Sequence, residues 1–136
     1  MSLGPLLAAP GLMQFHIAAA VLSLISGVAV MATPKGTSAH VGIGRIFAAA
    51  MLTTAFTSFG ITGIVPGHFS PIHILSIVTL TTLPWAIYQR RLGNIRSHAI
   101  GMSLNFVGLI GAGFFALAPG RILGKAVAPI TGGWPF

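Results

Sequence analysis

There is no aspartate, no glutamate and no cysteine in these 136 residues, which carry seven lysines and arginines and five histidines. Without carboxylates the chain cannot pump protons through buried acids, and no base-plus-acid constellation for acyl or phosphoryl transfer can be assembled. Without cysteine there are no disulfides and no thiolate metal sites. Charged residues make up only 5% of the chain, too few to coat a soluble fold of this size, while 54% is hydrophobic. Chemistry must rest on histidine, arginine, hydroxyls and the backbone. The composition describes one membrane domain covering residues 1–136, with no room for a second.

A formal charge of +7 on a soluble protein would point to nucleic acid. Here the cations stand at the ends of apolar runs, so the expected partner is a bilayer with anionic headgroups, and nucleic acid is not expected. Four runs approach the roughly 20 residues a membrane helix needs. They cover about 12–32, 38–65, 71–89 and 97–118, and leave an interfacial tail at 119–136. Thr33-Pro34-Lys35-Gly36 ends the first, and Thr37 or Ser38 is a good N-cap for the second. Pro66-Gly67 closes the second, Gln89-Arg90-Arg91 the third and Pro119-Gly120 the fourth. The connections are short, so neighbours should be antiparallel and the fold an all-α, four-span up-down bundle.

Lys35, Arg45, Arg90, Arg91 and Arg96 flank the first and third connections, whereas only Arg121 and Lys125 lie on the other side, in the tail. The positive-inside rule then places the first and third loops in the cytoplasm and both termini outside. Met1 to Gln14 has no basic segment, so a cleaved signal peptide is not expected. The tail is too broken by glycine and proline for a fifth span. Its end, Trp134-Pro135-Phe136, reads as an interfacial anchor or a docking peptide.

Four of the histidines repeat. Phe15-His16-Ile17 is echoed by Ile72-His73-Ile74, and Ser38-Ala39-His40 by Arg96-Ser97-His98, with offsets that agree to one residue; Gly36 and Gly93 also correspond. The pattern is that of a duplicated helical hairpin. In an up-down bundle His16 and His73 share one membrane face, and His40 and His98 the other. Helical steps from His16 give Ala19, Ala20, Ser23 and Gly27; from His40 they give Gly44, Phe47, Met51, Thr54 and Ser58. From His98 they give Met102, Asn105, Leu109 and Ala112. Small and polar residues therefore share the histidine faces, as in a bundle interior.

Two neutral imidazoles facing each other would hold a b-type haem, one between His16 and His73 and another between His40 and His98. Lys35, Arg45 and Arg96 stand where propionates would emerge, and Ser70 is the hydroxyl at the other face. Such a protein would move electrons within or across the membrane, exchanging with quinone. The structural alternative is that these are helix-end histidines bonded to backbone or headgroups, where an imidazole is cheap to keep. His16, His40, His73 and His98 are also the metal-ligand candidates. A zinc or copper site of His16, His68 and His73 would need the loop around Pro71 to fold back, and no carboxylate exists to orient its ligands. Arg45 would lie deep in its helix, where snorkelling is the default.

The string from His16 through Pro34-Lys35-Gly36-Thr37, His40 with Gly44-Arg45, Ser70-Pro71-Ile72-His73, and Arg96-Ser97-His98 with Met102 resembles a bacterial family of predicted membrane proteins, domain of unknown function 2306. Pro119-Gly120-Arg121 resembles it too, so the likeness covers roughly residues 13–122. It implies a four-helix integral membrane protein with recurring histidines on each helix, and no established activity; the expected location is the bacterial inner membrane. In architecture the paired histidines are similar to those of ascorbate-reducible transmembrane b cytochromes, an analogy without a continuous motif. An acid-free basic bundle with short loops also suits a cofactor-free accessory subunit packed against a larger respiratory or photosynthetic complex.

Overall fold

The computed structural model describes residues 3–61, 71–118 and 121–130. Six helices follow in order: α1 (Gly4–Leu7), α2 (Gly11–Ala32), α3 (Ser38–Ser58), α4 (Pro71–Arg91), α5 (Ile95–Ala116) and α6 (Ile122–Val127). No strand occurs among the described residues. Helices α2 to α5 are long and apolar enough to cross a membrane. At about 1.5 Å per residue each runs roughly 30 Å, the thickness of the hydrocarbon. The expected all-α, four-span architecture is the observed one.

One span is shorter than its apolar run. Helix α3 stops at Ser58, where Phe59 and Gly60 turn, instead of continuing towards Val65. The run contains Gly60, Ile61, Thr62, Gly63, Ile64 and Val65, and glycine and β-branched residues are poor helix formers however apolar they are. Residues 62–70 lie outside the described residues, and with them Pro66-Gly67, His68 and Ser70. Pro119-Gly120 and Trp134-Pro135-Phe136 do so as well.

The two hairpin turns are built alike. Gly36 has φ +81° and Gly93 has φ +80°, a left-handed conformation that a Cβ disfavours. Each glycine is followed by an N-cap: Thr37 Oγ1 accepts from the His40 N–H, and Asn94 Oδ1 accepts from the Ser97 N–H. Lys35 completes the first turn from the other side, its Nζ donating to the Met31 carbonyl at 2.9 Å and the Val30 carbonyl at 3.1 Å. These are the orphan carbonyls at the negative end of α2.

Contacts between helices fix an up-down register. Gly44 lies near Val30 and His16 meets Thr57, so α2 and α3 are antiparallel. Ser58 meets Ser76 across α3 and α4, while Gly101 meets Ala86 and Asn105 meets Thr82 across α4 and α5. Packing runs α2–α3–α4–α5 and returns to α2. Parallel helices therefore sit on the diagonals, α2 opposite α4 and α3 opposite α5. The end carrying Lys35, Arg45, Arg90, Arg91 and Arg96 is termed the basic face.

Hydrophobicity is distributed inside-out relative to a soluble bundle. Ser23 is 0% exposed and Asn105 5%, whereas Phe114 is 74% and Phe56 72% exposed. Lipid, as apolar as those outer side chains, removes any penalty for showing them, and close helix contact is left to small residues. Gly27 is the clearest case: a Cβ built there would lie 2.5 Å from Phe106 Cε2 and 3.0 Å from Phe47 Cε2. Phe47 and Phe106 meet edge to face at 6.2 Å, and Met51 and Leu83 complete the centre. Of the expected stripes, Ser23, Gly27, Phe47, Met51, Ser58 and Asn105 are buried, while Ala19, Ala20, Gly44, Thr54, Met102, Leu109 and Ala112 are partly buried.

At the other face α1 packs against α6, and Gln14 Nε2 ties α1 down by donating to the carbonyls of Leu7 and Ala9. Neither short helix was expected. The glycine that made the tail look broken has a packing role, because a Cβ on Gly124 would collide with the Ala118 carbonyl oxygen. Arg121 lies 4.6 Å over the Phe115 ring, and burial lowers its guanidinium pKa from the ordinary value.

Candidate functional site

At the basic face two histidines point inward from diagonal helices. His40 stands in the first turn of α3, capped through Thr37. Helical spacing puts it on the same side as the buried Phe47, Met51 and Ser58. Its Nδ1 is buried with no hydrogen-bond partner. His98 stands in the first turn of α5, on the side of Met102, Asn105 and Leu109. Its Nδ1 lies 3.0 Å from the Ala86 carbonyl of α4. A carbonyl only accepts, so Nδ1 carries a hydrogen, and in the neutral ring that leaves the lone pair on Nε2.

At the opposite face the two histidines dock on the last turn of α3. His16 Nδ1 lies 2.9 Å from Thr57 Oγ1, whose own hydrogen goes to the Thr53 carbonyl at 2.8 Å. Thr57 therefore accepts from the His16 N–H, and Nε2 of His16 also keeps its lone pair. His73 is 2% exposed and donates from Nε2 to the Ser58 carbonyl at 3.1 Å. Its ring lies 6.0 Å from that of Phe59. Ser58 and Ser76 hydroxyls meet beside it at 2.6 Å. The buried face of α4 is marked by Leu83, and His73 lies about 80° round from it on the α3 side. The two rings share a membrane face as expected, but α3 is what each one grips.

The cations point in different directions. Lys35 is folded back on α2. Arg45 lies about 140° round α3 from His40, and Arg96 about 160° round α5 from His98; both are exposed. Arg90, which the repeat did not single out, follows Ala86 by one turn and Leu83 by two, both 0% exposed. At the end of α4 it is itself exposed, as is Arg91, about 100° round the helix from it.

A bis-imidazole site needs two inward rings with uncommitted nitrogens, ideally with the second nitrogen of a ring anchored on a carbonyl. His40 and His98 meet that description. His16 and His73 do not, because Nε2 of His73 is bound to the Ser58 carbonyl. Among the described residues no group of three or more His, Cys, Asp or Glu side chains comes together as a metal site.

Midway along the bundle lies a separate polar contact. Asn105 Nδ2 donates to Thr82 Oγ1 at 3.1 Å and to the Gly101 carbonyl at 2.8 Å, joining α4 to α5 where no water is available to either group.

Comparison with known proteins agrees with this architecture. The family model described as a predicted membrane protein (DUF2306) matches residues 13–126, from the first turn of α2 into α6. No curated protein and no solved structure matches the chain. With all four membrane-length helices inside the matched region, this chain belongs to the DUF2306 family of predicted membrane proteins.

Proposed function

We propose that this membrane protein binds one b-type haem at its basic face through His40 and His98 and carries electrons within the bilayer, exchanging with quinone. The observation that carries the proposal is His40: an inward-facing imidazole with a buried Nδ1 and no partner. Such a group ordinarily costs about 1–3 kcal/mol unless something binds it. His98 supports the reading through its Nδ1–H bond to the Ala86 carbonyl, the arrangement that orients an imidazole ligand and raises its basicity. Arg90, exposed at the end of the α4 stripe that runs through Leu83 and Ala86, supplies a cation at headgroup level for propionate groups. Haem, when bound, supplies the one-electron chemistry. The chain holds two neutral imidazoles in position and keeps water away with apolar neighbours such as Ile87 and Met102.

The test is a reduced-minus-oxidised spectrum, with pyridine haemochrome quantification, of protein purified from native membranes. About one haem per chain is expected, lost in His40→Ala and His98→Ala and kept in His73→Ala. A featureless spectrum from a folded native-source sample would end this reading.

A second reading is favoured by the closed centre of the bundle, where Phe106 and Phe47 press on Gly27. In it the chain is a cofactor-free accessory subunit of a larger respiratory or photosynthetic complex, and the histidines are helix clasps. Fixed-ratio co-purification with such a complex, without b-type absorbance, is its signature. Under either reading we propose the bacterial inner membrane as the location, with the basic face towards the cytoplasm and both termini outside.

A further inference from the structure

We infer that the groove between α3 and α4 at the basic face binds one anionic phospholipid, an acyl chain lying in the groove and the phosphate held by Arg91 and Arg45. The groove has a volume of about 250 Å³ and is lined by Leu52, Pro84, Ile87, Tyr88 and Arg91. The last four are spaced as one stripe of α4, so the groove runs from mid-helix to the basic face over about 10 Å. It has an aliphatic floor and a guanidinium at its open end. An α-helix with its side chains is about 10–12 Å across, too wide to lie in this space, whereas a single hydrocarbon chain is not.

Charge selects the headgroup. The chain has no Asp or Glu to pair with Arg91. By contrast Lys35 has its own carbonyls. Arg45 belongs to the same site from the α3 side. It lies two turns before Leu52, about 20° from it around the helix, and is exposed. It lies seven residues inside α3, beyond the groove lining itself, and from there its guanidinium can snorkel to headgroup level. Tyr88, the one tyrosine of the chain, is 56% exposed; its ring borders the groove, and a phenol at that level donates to phosphate or glycerol oxygens. The odd depth of Arg45 thus has a use that neither imidazole pair provides.

The test is native mass spectrometry of the delipidated full chain in neutral detergent with phosphatidylglycerol, phosphatidylcholine or inorganic phosphate. Phosphatidylglycerol is expected to be retained in preference to phosphatidylcholine. R45Q and R91Q should each weaken that retention about fivefold, and the double variant about 30-fold, with helical circular dichroism unchanged. Filling the groove with Leu52→Trp should reduce retention of both lipids. Equal retention of the two lipids by the unaltered chain would overturn the assignment, as would a double variant that keeps its preference. Displacement of the lipid by inorganic phosphate would overturn it too, by reducing the site to bare charge. So would a native-source protein carrying a polypeptide, and no lipid, cross-linked at the position of Tyr88.

Discussion

The Nδ1 of His98 and the carbonyl oxygen of Ala86 lie 3.0 Å apart, one bond that ties α5 to α4 and also decides which ring nitrogen is left for other chemistry. The approach is permitted three residues further on by Gly101, where a Cβ would stand 2.6 Å from the Cβ of Ala86. Gly101→Ala should push the helices apart and lengthen the histidine bond. A loss of about 1–3 kcal/mol is expected in detergent unfolding. In a haem-loaded sample the b-type band should also shift, an effect that simple destabilisation elsewhere would not produce.

His73 provides the contrast. Its buried ring clasps α4 to α3 through the Ser58 carbonyl, so His73→Ala should lower stability by about 1–3 kcal/mol through the unsatisfied carbonyl and the space left behind. It should leave intact the b-type absorbance expected of the proposed His40–His98 site. Loss of absorbance with unchanged stability would reverse the roles assigned to the two ends.

Asn105 and Thr82 are coupled across the bundle at 3.1 Å. A double-mutant cycle with Asn105→Ala and Thr82→Val should return a coupling of about 0.6–1.7 kcal/mol, the range for interhelical hydrogen bonds in membranes. A coupling near zero would mean that the Gly101 carbonyl alone satisfies the amide.

Gly36 and Gly93 occupy equivalent left-handed turns. Gly36→Ala and Gly93→Ala should each cost about 1–2 kcal/mol, with asparagine less harmful at both positions. The two losses should add, because the turns lie in separate hairpins. Equilibrium unfolding of the single and double variants measures this.

The absence of native cysteine makes orientation easy to read. Cysteine placed at exposed Leu92 should be shielded from an impermeant thiol reagent in intact cells, and cysteine at exposed Leu3 should react. The opposite labelling pattern would invert the proposed topology.

Much of this was legible because membrane constraints are written in hydropathy and in breakers. The four spans follow from apolar runs, the first hairpin turn from Pro34-Lys35-Gly36-Thr37 and the second from the matching Gly93, and the interior from stripes of small and polar residues that include His16, His40 and His98. What escaped was rotation and length. Hydropathy does not mark the turn at Phe59 and Gly60 that ends α3, so the helix looked longer than it is. Hydroxyls at Ser76, Thr79, Thr81 and Thr82 go round much of α4, so its buried side could not be told from its outer one. That ambiguity hid the sideways aim of His73 and the place of Arg91 on the groove between α3 and α4. The short helices α1 and α6 were missed because glycine at position 124 reads as a breaker when it is a point of contact.

The diagonal arrangement has an ancestral consequence. His40 belongs to the first hairpin and His98 to the second, so neither half of the chain owns a complete pair. The halves run in the same direction, related by an axis along the membrane normal, as two copies of a single hairpin would be in a symmetric dimer. In such a dimer the pair would exist only where two chains met; joining the hairpins in one chain makes a concentration-dependent encounter permanent. The two ends now differ: His98 is bonded to the Ala86 carbonyl and His40 Nδ1 has no partner, whereas His16 and His73 are both fastened to the last turn of α3.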